Sequence, residues 1–240
     1  MSNIIAAAGL ILLRQNDSTK QFEVLLLKRN TKLRVHGGNW VFPGGKVDVQ
    51  DYQVLNHRPS EIDIKNPPPL SPSDYLKLMT QTALRETLEE ADITMEGAQL
   101  QYFSRWLTPK ALVKRFDTCF FIAQLNSHKD VKVDGSEIID YQWISPEKSL
   151  ALHEKGEIAV PPATFVSLSS LSQFTKAEGA ISALCETPIH YRPKLITSNK
   201  GLCSLYEEDA AYQNEDLLIA GKRHRLEMNA DHFNYIVTYK

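Results

Sequence analysis

Cysteine is scarce in this sequence. The 240 residues include only Cys119, Cys185 and Cys203, an odd number at wide spacings. The sequence has no Cys-x-x-Cys pair and no Cys/His spacing typical of zinc, which argues against a disulfide framework and a structural zinc site. We therefore expect three reduced, mostly structural thiols in a cytosol-like compartment.

The chain also lacks a surplus of charge and an apolar run long enough for a membrane. A formal net charge of -2 gives no sign of a nucleic-acid-binding protein. The apolar run 4–13 is too short to span a bilayer, has no basic residues before it and has no cleavage site after it, so we expect a buried strand. Residues 237–240 are not the peroxisomal S-K-L signal. We expect a cytoplasmic protein whose partner is a small molecule, with neither nucleic acid nor membrane involved.

Apolar and turn-forming segments indicate the order of the strands and helices. The polar turn 15–20 predicts a hairpin between strands 4–13 and 22–28, and Pro43 to Gly45 should end the aromatic strand 39–42. Further strands are predicted at 98–107, 116–125, 137–144, 194–197, 201–206 and 233–239. Helices are predicted at 145–153 and 163–176.

A Pro-rich segment, 49–73, has no sustained period and is typical of an inserted loop. A helix follows it and is predicted to end near Ala91. Ser71 is the expected N-cap, Pro72 fits the first helical position, and Asp74 follows three residues after the cap.

Three carboxylates crowd one face near the end of this helix. At about 100° per residue, Glu86, Glu89 and Glu90 fall within roughly 100° of one another. Like charges repel there, and the helix dipole disfavours anions at a C-terminus. A hard cation with oxygen ligands would relieve both penalties, and Arg85 can reach Glu89 four residues on. The opposite side, expected to contact the core, carries Leu84, Leu88 and Ala91.

The glycines and this helix resemble the two halves of the Nudix box, G-x5-E-x7-R-E-U-x-E-E-x-G-U, where U is aliphatic. The chain departs from the pattern in three ways. Gly45 and Arg85 are separated by 39 residues where the pattern has 13. Counted back from Arg85, the first Glu falls at Lys77, so it is absent or supplied from elsewhere, with Asp48 and Asp51 as candidates. Asp92 replaces the Gly that ends the helix, and Asp tolerates the left-handed conformation better than most residues.

The resemblance implies a division of labour among these residues. Glu86, Glu89, Glu90 and the carbonyl of Gly45 would bind Mg²⁺ or Mn²⁺. One of the glutamates, or the downstream acid Glu137, would deprotonate the attacking water, and Arg85 would hold Glu89 in a fixed rotamer. The metal would stabilise the charge that grows on a diphosphate.

A second motif precedes the glycines. Residues 25–45 resemble the signature L-L-T-x-R-[SA]-x3-R-x3-G-x3-F-P-G-G of coenzyme A pyrophosphatases in the Nudix superfamily. It aligns without a gap but departs from it at Leu27 and Asn30. Four cations stand within seven residues, and Arg can grip phosphate oxygens with two hydrogen bonds. The substrate-binding residues that this resemblance implies are Lys28, Arg29, Arg34, Phe42 and Gly44.

Residues 106–109 and 115–121, together with the insert, look like the peroxisomal-type acyl-CoA diphosphatase branch, nucleoside-diphosphate-linked moiety X type 19. Trp106 or Phe116 would stack on adenine, or would simply be part of the core. The branch implies the Nudix α/β/α sandwich, an α/β (α+β) fold with a mixed sheet. The expected domain spans 1–165 with 49–73 inserted, and 166–240 form an elaboration that covers the pocket or makes a homodimer interface.

The favoured function is hydrolysis of coenzyme A or acyl-CoA to 3′,5′-ADP and (acyl-)4′-phosphopantetheine. Three alternatives stay open at this point. The same chemistry could act on NADH, an ADP-sugar or a dinucleoside polyphosphate. The chain could be a catalytically silent nucleotide-binding module, or the acidic helix could have no ligand at all.

Overall fold

A mixed sheet forms the centre of the fold. The computed structural model describes residues 4–16, 18–125, 130–198, 201–229 and 232–238, and eight strands of this part share one sheet. Its hydrogen-bonded path runs β3-β2-β1-β6-β5-β8, with β4 on β1 and β7 on β2. The β1–β6 and β5–β8 pairs are parallel and the others are antiparallel. The strands are β1 (Ile4–Gln15), β2 (Phe22–Arg29), β3 (Trp40–Val41), β4 (Gly44–Lys46), β5 (Gln101–Leu107), β6 (Arg115–Leu125), β7 (Ile138–Ile144) and β8 (Ile189–Tyr191).

Helices cover both faces of this sheet. They are α1 (Pro72–Ala91), α2 (Pro146–Glu154), α3 (Pro162–Leu171) and α4 (Ala177–Cys185). Along β1, Leu10 and Leu12 pack into the core under α1, whereas Ile11 and Leu13 pack into the core that contains α3 and α4. A strand buried on both faces reads as a continuous apolar run. The run 4–13 is therefore a buried strand, as predicted, and the α/β/α fold with a mixed sheet is confirmed. In the part of the chain described above, no helix has the length and apolar character needed to cross a membrane.

The hairpin and the start of α1 match their predictions. Leu13 pairs with Val24 across β1 and β2. Ser71 caps α1, accepting a hydrogen bond from the backbone N–H of Asp74 at 3.1 Å, and Pro72 is the first helical residue. At the other end, Asp92 takes the left-handed conformation, with φ of 55°. The insert is not structureless, since it carries 3-10 helices at Val49–Leu55 and Pro59–Glu61.

Several predicted boundaries differ from the structure, two of them by a whole element. Pro43 to Gly45 were expected only to end a strand, but Gly44–Lys46 form β4 against β1. The helix expected over 163–176 ends at Leu171, and the unpredicted α4 follows. Serine hydroxyls in the last turns of α3 bond to backbone carbonyls, as Ser170 does to Val166 at 3.1 Å. Such bonds compete with the helical pattern and favour an early end.

The C-terminal segment contributes to the main sheet and forms a second one. Its strand β8 pairs with β5, and the second sheet has the order β12-β11-β10-β9. These strands are β9 (Lys194–Ser198), β10 (Gly201–Leu205), β11 (His224–Met228) and β12 (Phe233–Val237). Polar β11 was not predicted; its Arg225 is buried in a salt bridge to Asp209 at 2.7 Å. Residue 239, the predicted end of the last strand, lies outside the described residues, as does residue 240. The division of the chain at residue 165 stays a prediction.

Candidate active site

Strand β4 meets the C-terminal half of α1 through Gly44. Its backbone N–H donates to Glu90 Oε2 at 2.8 Å. A Cβ at Gly44 would lie 2.5 Å from the carbonyl oxygen of Ala8 and 2.6 Å from Cα of Gly9, on the neighbouring strand. Only glycine therefore brings this N–H to the helix, because any side chain would push the two strands apart.

Gly45 makes room for a second carboxylate. A Cβ at Gly45 would lie 2.4 Å from Cδ of Glu86. The carboxylate of Glu86 thus rests directly on the backbone of Gly45, whose carbonyl was predicted as a metal ligand. The missing side chain allows a peptide group and a carboxylate to lie side by side.

Arg85 connects most of the acidic groups. Its Nε and Nη2 donate to the two oxygens of Asp51 at 2.8 and 3.0 Å. Its Nη1 donates to Glu86 Oε1 at 3.0 Å and to Glu89 Oε2 at 2.9 Å. The predicted contact between Arg85 and Glu89 is confirmed. A further hydrogen bond at 2.9 Å reaches the carbonyl of Lys46. One guanidinium thus joins β4, the 3-10 helix Val49–Leu55 and α1.

Asp51 is the acid that sequence reasoning left unassigned. It is 1% exposed and also accepts from Thr82 Oγ1 at 2.9 Å. Asp48, the other candidate, caps the 3-10 helix, and Lys77 pairs with Asp74 on the outside of α1. Counting forward from Gly45 places the sixth residue at Asp51, which is the spacing of the first Glu in the box. The insert therefore follows Asp51, and a forward count would have found it.

The core-facing side of α1 differs from the prediction. Leu88 was expected to contact the core but is 45% exposed, while Glu90 is only 5% exposed. The buried face includes Thr82 and Thr87, whose hydroxyls donate to the backbone carbonyls four residues earlier. These internal hydrogen bonds allow threonine to take core positions, which rotates the acidic face toward the sheet.

The electrostatics of Glu90 reflect burial and crowding. Burial raises its pKa to about 8, the N–H of Gly44 opposes this, and the nearby Glu86 adds to it. Arg29 lies between Glu90 Oε1 at 3.7 Å and Glu137 Oε2 at 3.5 Å. Burial also raises the pKa of Glu86. Several carboxylates thus surround Arg29 and Arg85. These groups come from the ends of β2 and α1, from the 3-10 helix after β4 and from the residue before β7.

Other predicted substrate-binding residues lie away from this cluster. Lys28 pairs with Trp40 on β3, and its Nζ lies 5.7 Å from that ring's centroid. Arg34 is exposed in the loop between β2 and β3. Phe42 is buried and packs edge-on against Phe120, with ring centroids 6.2 Å apart. Of the predicted substrate-binding set, Arg29 and Gly44 contact the carboxylates.

The two candidate adenine-stacking residues also have partners. Trp106 is 7% exposed and stacks on Tyr191 with ring centroids 3.9 Å apart. The ring of Phe116 lies under Lys114 Nζ at 5.3 Å. For Trp106, the position favours the alternative that it belongs to the core.

The donor set suits a hard divalent cation. Carboxylate and carbonyl oxygens are its preferred ligands, and the raised pKa values of Glu86 and Glu90 reflect burial next to other carboxylates. Within the described residues, however, no group of three His, Cys, Asp or Glu side chains is arranged to hold a metal. Arg85 and Arg29 supply the opposing charge instead, so the assignment of metal ligands stays a prediction.

Comparison with known families gives a match over part of the chain. Residues 87–171 match the family model described as the NUDT19 Nudix domain. A solved Nudix hydrolase from Alicyclobacillus acidocaldarius superposes with a TM-score of 0.64 at 24% identity, covering 78% of this chain and all of that one. This superposition shows that the two chains share the same fold.

Two curated relatives are similar in sequence. One, named acyl-coenzyme A diphosphatase NUDT19 from Xenopus laevis, is 25% identical, with 67% of this chain and 62% of that protein covered. The relative of the same name from Homo sapiens is 28% identical, with 62% of this chain and 43% of that protein covered. The chain therefore spans less than two thirds of the length of either relative. The resemblance to the Nudix superfamily and its type 19 branch is confirmed.

Proposed function

Because residues 87–171 match a Nudix family model, we propose that the chain is a metal-dependent hydrolase that cleaves the diphosphate linkage of coenzyme A or an acyl-CoA. The observation that carries this proposal is the packing of Glu86 and Glu90 against the backbone of Gly45 and Gly44, with Arg85 fixing the rotamers. A nucleotide-binding module without catalysis would not need such a concentration of buried carboxylates. The names of the two curated relatives support the substrate.

Mg²⁺ or Mn²⁺ is the proposed cofactor. The residues that would hold it are Glu86, Glu89, Glu90 and the carbonyl of Gly45. The bound ion would neutralise charge that develops on the diphosphate oxygens.

Other groups of the cluster orient the carboxylates and accept the proton of the attacking water. Arg85 orients Glu86 and Glu89, and the N–H of Gly44 orients Glu90. Glu137, at the edge of the cluster with a side chain that is 62% exposed, is proposed to take the proton of the attacking water. The water oxygen bonds to one phosphorus of the diphosphate, and the bond from that phosphorus to the bridging oxygen breaks. The products are 3′,5′-ADP and (acyl-)4′-phosphopantetheine.

Substrate binding is proposed to use the basic segment before the glycines. Arg29 lies nearest the carboxylates. Arg34, exposed in the loop after β2, is assigned to the remaining phosphates of the nucleotide. Lys28 lies on the opposite face of β2, beside Trp40, so its contact with the nucleotide stays a hypothesis. A guanidinium can hold two phosphate oxygens at once. NADH, an ADP-sugar and a dinucleoside polyphosphate share the diphosphate and are the alternative substrates.

A substrate panel tests the proposal. The protein is incubated with Mg²⁺ or Mn²⁺ and, separately, with CoA, acyl-CoA, NADH, ADP-ribose and diadenosine polyphosphates, and the products are identified by mass. We expect 3′,5′-ADP from CoA and acyl-CoA, and no product when EDTA replaces the metal. Hydrolysis of NADH but not of CoA would contradict the assignment of CoA as the substrate. Absence of turnover for every compound would contradict the hydrolase and favour a nucleotide-binding module without catalysis.

Substitution by alanine is expected to lower activity at Gly45 and stability at Gly44. In Gly45→Ala the new methyl group meets the flexible end of Glu86, so the fold should tolerate it, but the displaced carboxylate should lower kcat by about 10²-fold. In Gly44→Ala the methyl group meets the backbone of β1, which should cost about 1–3 kcal/mol of stability. Thermal melting and kcat with CoA check both. An unchanged kcat in Gly45→Ala would mean that Glu86 has no role in turnover.

Compartment and assembly are also proposals. A reducing cytoplasmic setting is supported by Cys119, Cys185 and Cys203, which are all free thiols. Residues 166–240 are proposed to elaborate the same domain, because β8 extends its sheet. A homodimer formed through this segment stays a hypothesis.

A further inference from the structure

A cavity of about 450 Å³ lies between the insert, the N-terminal half of α1 and the strands β5 and β8. Its size is in the range of about 300–1,000 Å³ that is usual for small-molecule sites. The insert contributes Pro67 and Leu70, and α1 contributes Tyr75, Leu76 and Met79. The cavity is therefore formed in part by the segment that separates the two halves of the box.

Its charged and polar lining groups are already paired. Arg105 holds Asp117 through two hydrogen bonds of 2.8 and 2.6 Å, and its guanidinium carbon lies 4.8 Å from the ring centroid of Tyr75. The hydroxyl of Tyr102 is 3.1 Å from His190 Nε2. Because the guanidinium of Arg105 is neutralised, the lining favours an apolar occupant over a phosphate.

The cavity and the carboxylates lie along the same stripe of α1. At 100° per residue, Tyr75 and Met79 fall within about 20° of Glu86 around the helix axis. Along the axis, at 1.5 Å per residue, they lie roughly 16 and 10 Å from it. Tyr52, which lines the cavity, directly follows Asp51, the residue that anchors Arg85. The cavity and the carboxylate cluster are thus neighbours on α1, with the buried Thr82 and Asp51 between them.

This separation matches one part of an acyl-CoA. The phosphopantetheine arm joins phosphorus to sulfur through a chain about as long as four residues of extended backbone, or roughly 15 Å. A diphosphate at the carboxylates therefore places the thioester at the cavity. We infer that the cavity formed by the insert, Leu76 and Met79 binds the acyl chain of the substrate, an inference that rests on the proposed function.

The test compares one substitution at two places on α1. Leu76 lines the cavity and is 38% exposed, whereas Leu88 is 45% exposed and lies outside it. The kcat/KM is measured with Mg²⁺ for free CoA and for acyl-CoA with chains of 2, 8, 12 and 16 carbons. In the unmodified protein we expect kcat/KM to rise with chain length, by up to about fourfold for each buried methylene, until the cavity is full.

Leu76→Trp should remove most of this rise by filling the cavity, while its kcat/KM for free CoA stays near that of the unmodified protein. Leu88→Trp should keep the rise. Equal loss for CoA and acyl-CoA in Leu76→Trp, or no dependence on chain length in the unmodified protein, would overturn the inference but not the proposed function. Failure to hydrolyse any CoA compound would instead overturn the proposed function.

A second measurement is independent of turnover. An acyl-CoA with a photoreactive group at the end of its chain is irradiated with the protein in EDTA, and the labelled peptides are identified by mass spectrometry. We expect label in residues 67–79. Label confined to the C-terminal sheet would overturn the inference, even if Leu76→Trp had failed to fold.

Discussion

Glu90→Gln is expected to lower metal-dependent turnover by on the order of 10³-fold and, at the same time, to stabilise the metal-free protein at alkaline pH. Glutamine keeps the shape of the side chain and an oxygen for the N–H of Gly44, which lies 2.8 Å from Glu90. It removes the negative charge that the proposed metal requires. Loss of preorganised charge stabilisation of this kind costs about 10²–10³-fold or more in other enzymes.

The stability effect follows from the direction of the pKa shift. Burial raises the pKa of Glu90 from 4.5 to about 8 in the folded metal-free protein. The folded state then binds more protons than the unfolded state, so this contribution to stability is full below pH 4.5 and is lost as pH rises through 8. The loss is on the order of 4–5 kcal/mol. Glutamine does not titrate, so Glu90→Gln should lack this loss.

Denaturant unfolding in EDTA at pH 5 and pH 9 measures the difference, with kcat for CoA measured in parallel. Glu61→Gln is the matched control, because Glu61 is an exposed acid of the insert that pairs with Arg58. It should leave both quantities unchanged. If Glu90→Gln kept full activity, Glu90 would not be a metal ligand. If it lost activity without gaining stability at pH 9, the buried charge of Glu90 would not be the cause of the loss of stability at alkaline pH.

What the sequence predicted at this site depended on local spacing. The arginine and three glutamates lie within six consecutive residues, 85–90. Helix geometry alone therefore predicted that the glutamates share a face and that Arg85 can reach Glu89. The first acid of the box was left open between Asp48 and Asp51 because the insert separates it from Arg85, and only the fold brings Asp51 within 2.8 Å. The orientation of the helix was misjudged at Leu88, since counting apolar residues ignores threonine hydroxyls that bond within the helix.

The same limit applies to the basic segment and to the C-terminus. Lys28 and Arg29 are neighbours in sequence, but successive residues of a strand point to opposite faces of a sheet. Only Arg29 therefore reaches the carboxylates, at 3.7 Å from Glu90. Strand β8 has three residues, and its pairing with β5 depends on contacts that are remote in sequence. Local patterns predict such elements poorly because neighbouring strands decide them.

The second large effect is expected from Arg85→Met. The substitution would leave the carboxylate of Asp51, 1% exposed, without its arginine. An unpaired buried charge costs about 3–5 kcal/mol, which for a chain of this length lowers Tm by roughly 10 °C. Arg58→Met is the control, because the pair between Arg58 and Glu61 is 82% and 58% exposed and such surface pairs contribute about 0–1 kcal/mol.

Adding Asp51→Asn to Arg85→Met separates the two tasks of this arginine. The double variant removes the unpaired charge, so it should recover much of the lost Tm, measured by calorimetry. It should not recover turnover of CoA, because the guanidinium that holds both Glu86 and Glu89 is still missing. Recovery of turnover would mean that the arginine acts only on stability. Failure to recover Tm would mean that the loss in Arg85→Met comes from packing and not from the charge of Asp51. The expected split, with stability regained and activity absent, follows from one side chain that neutralises a buried acid and also orients two others.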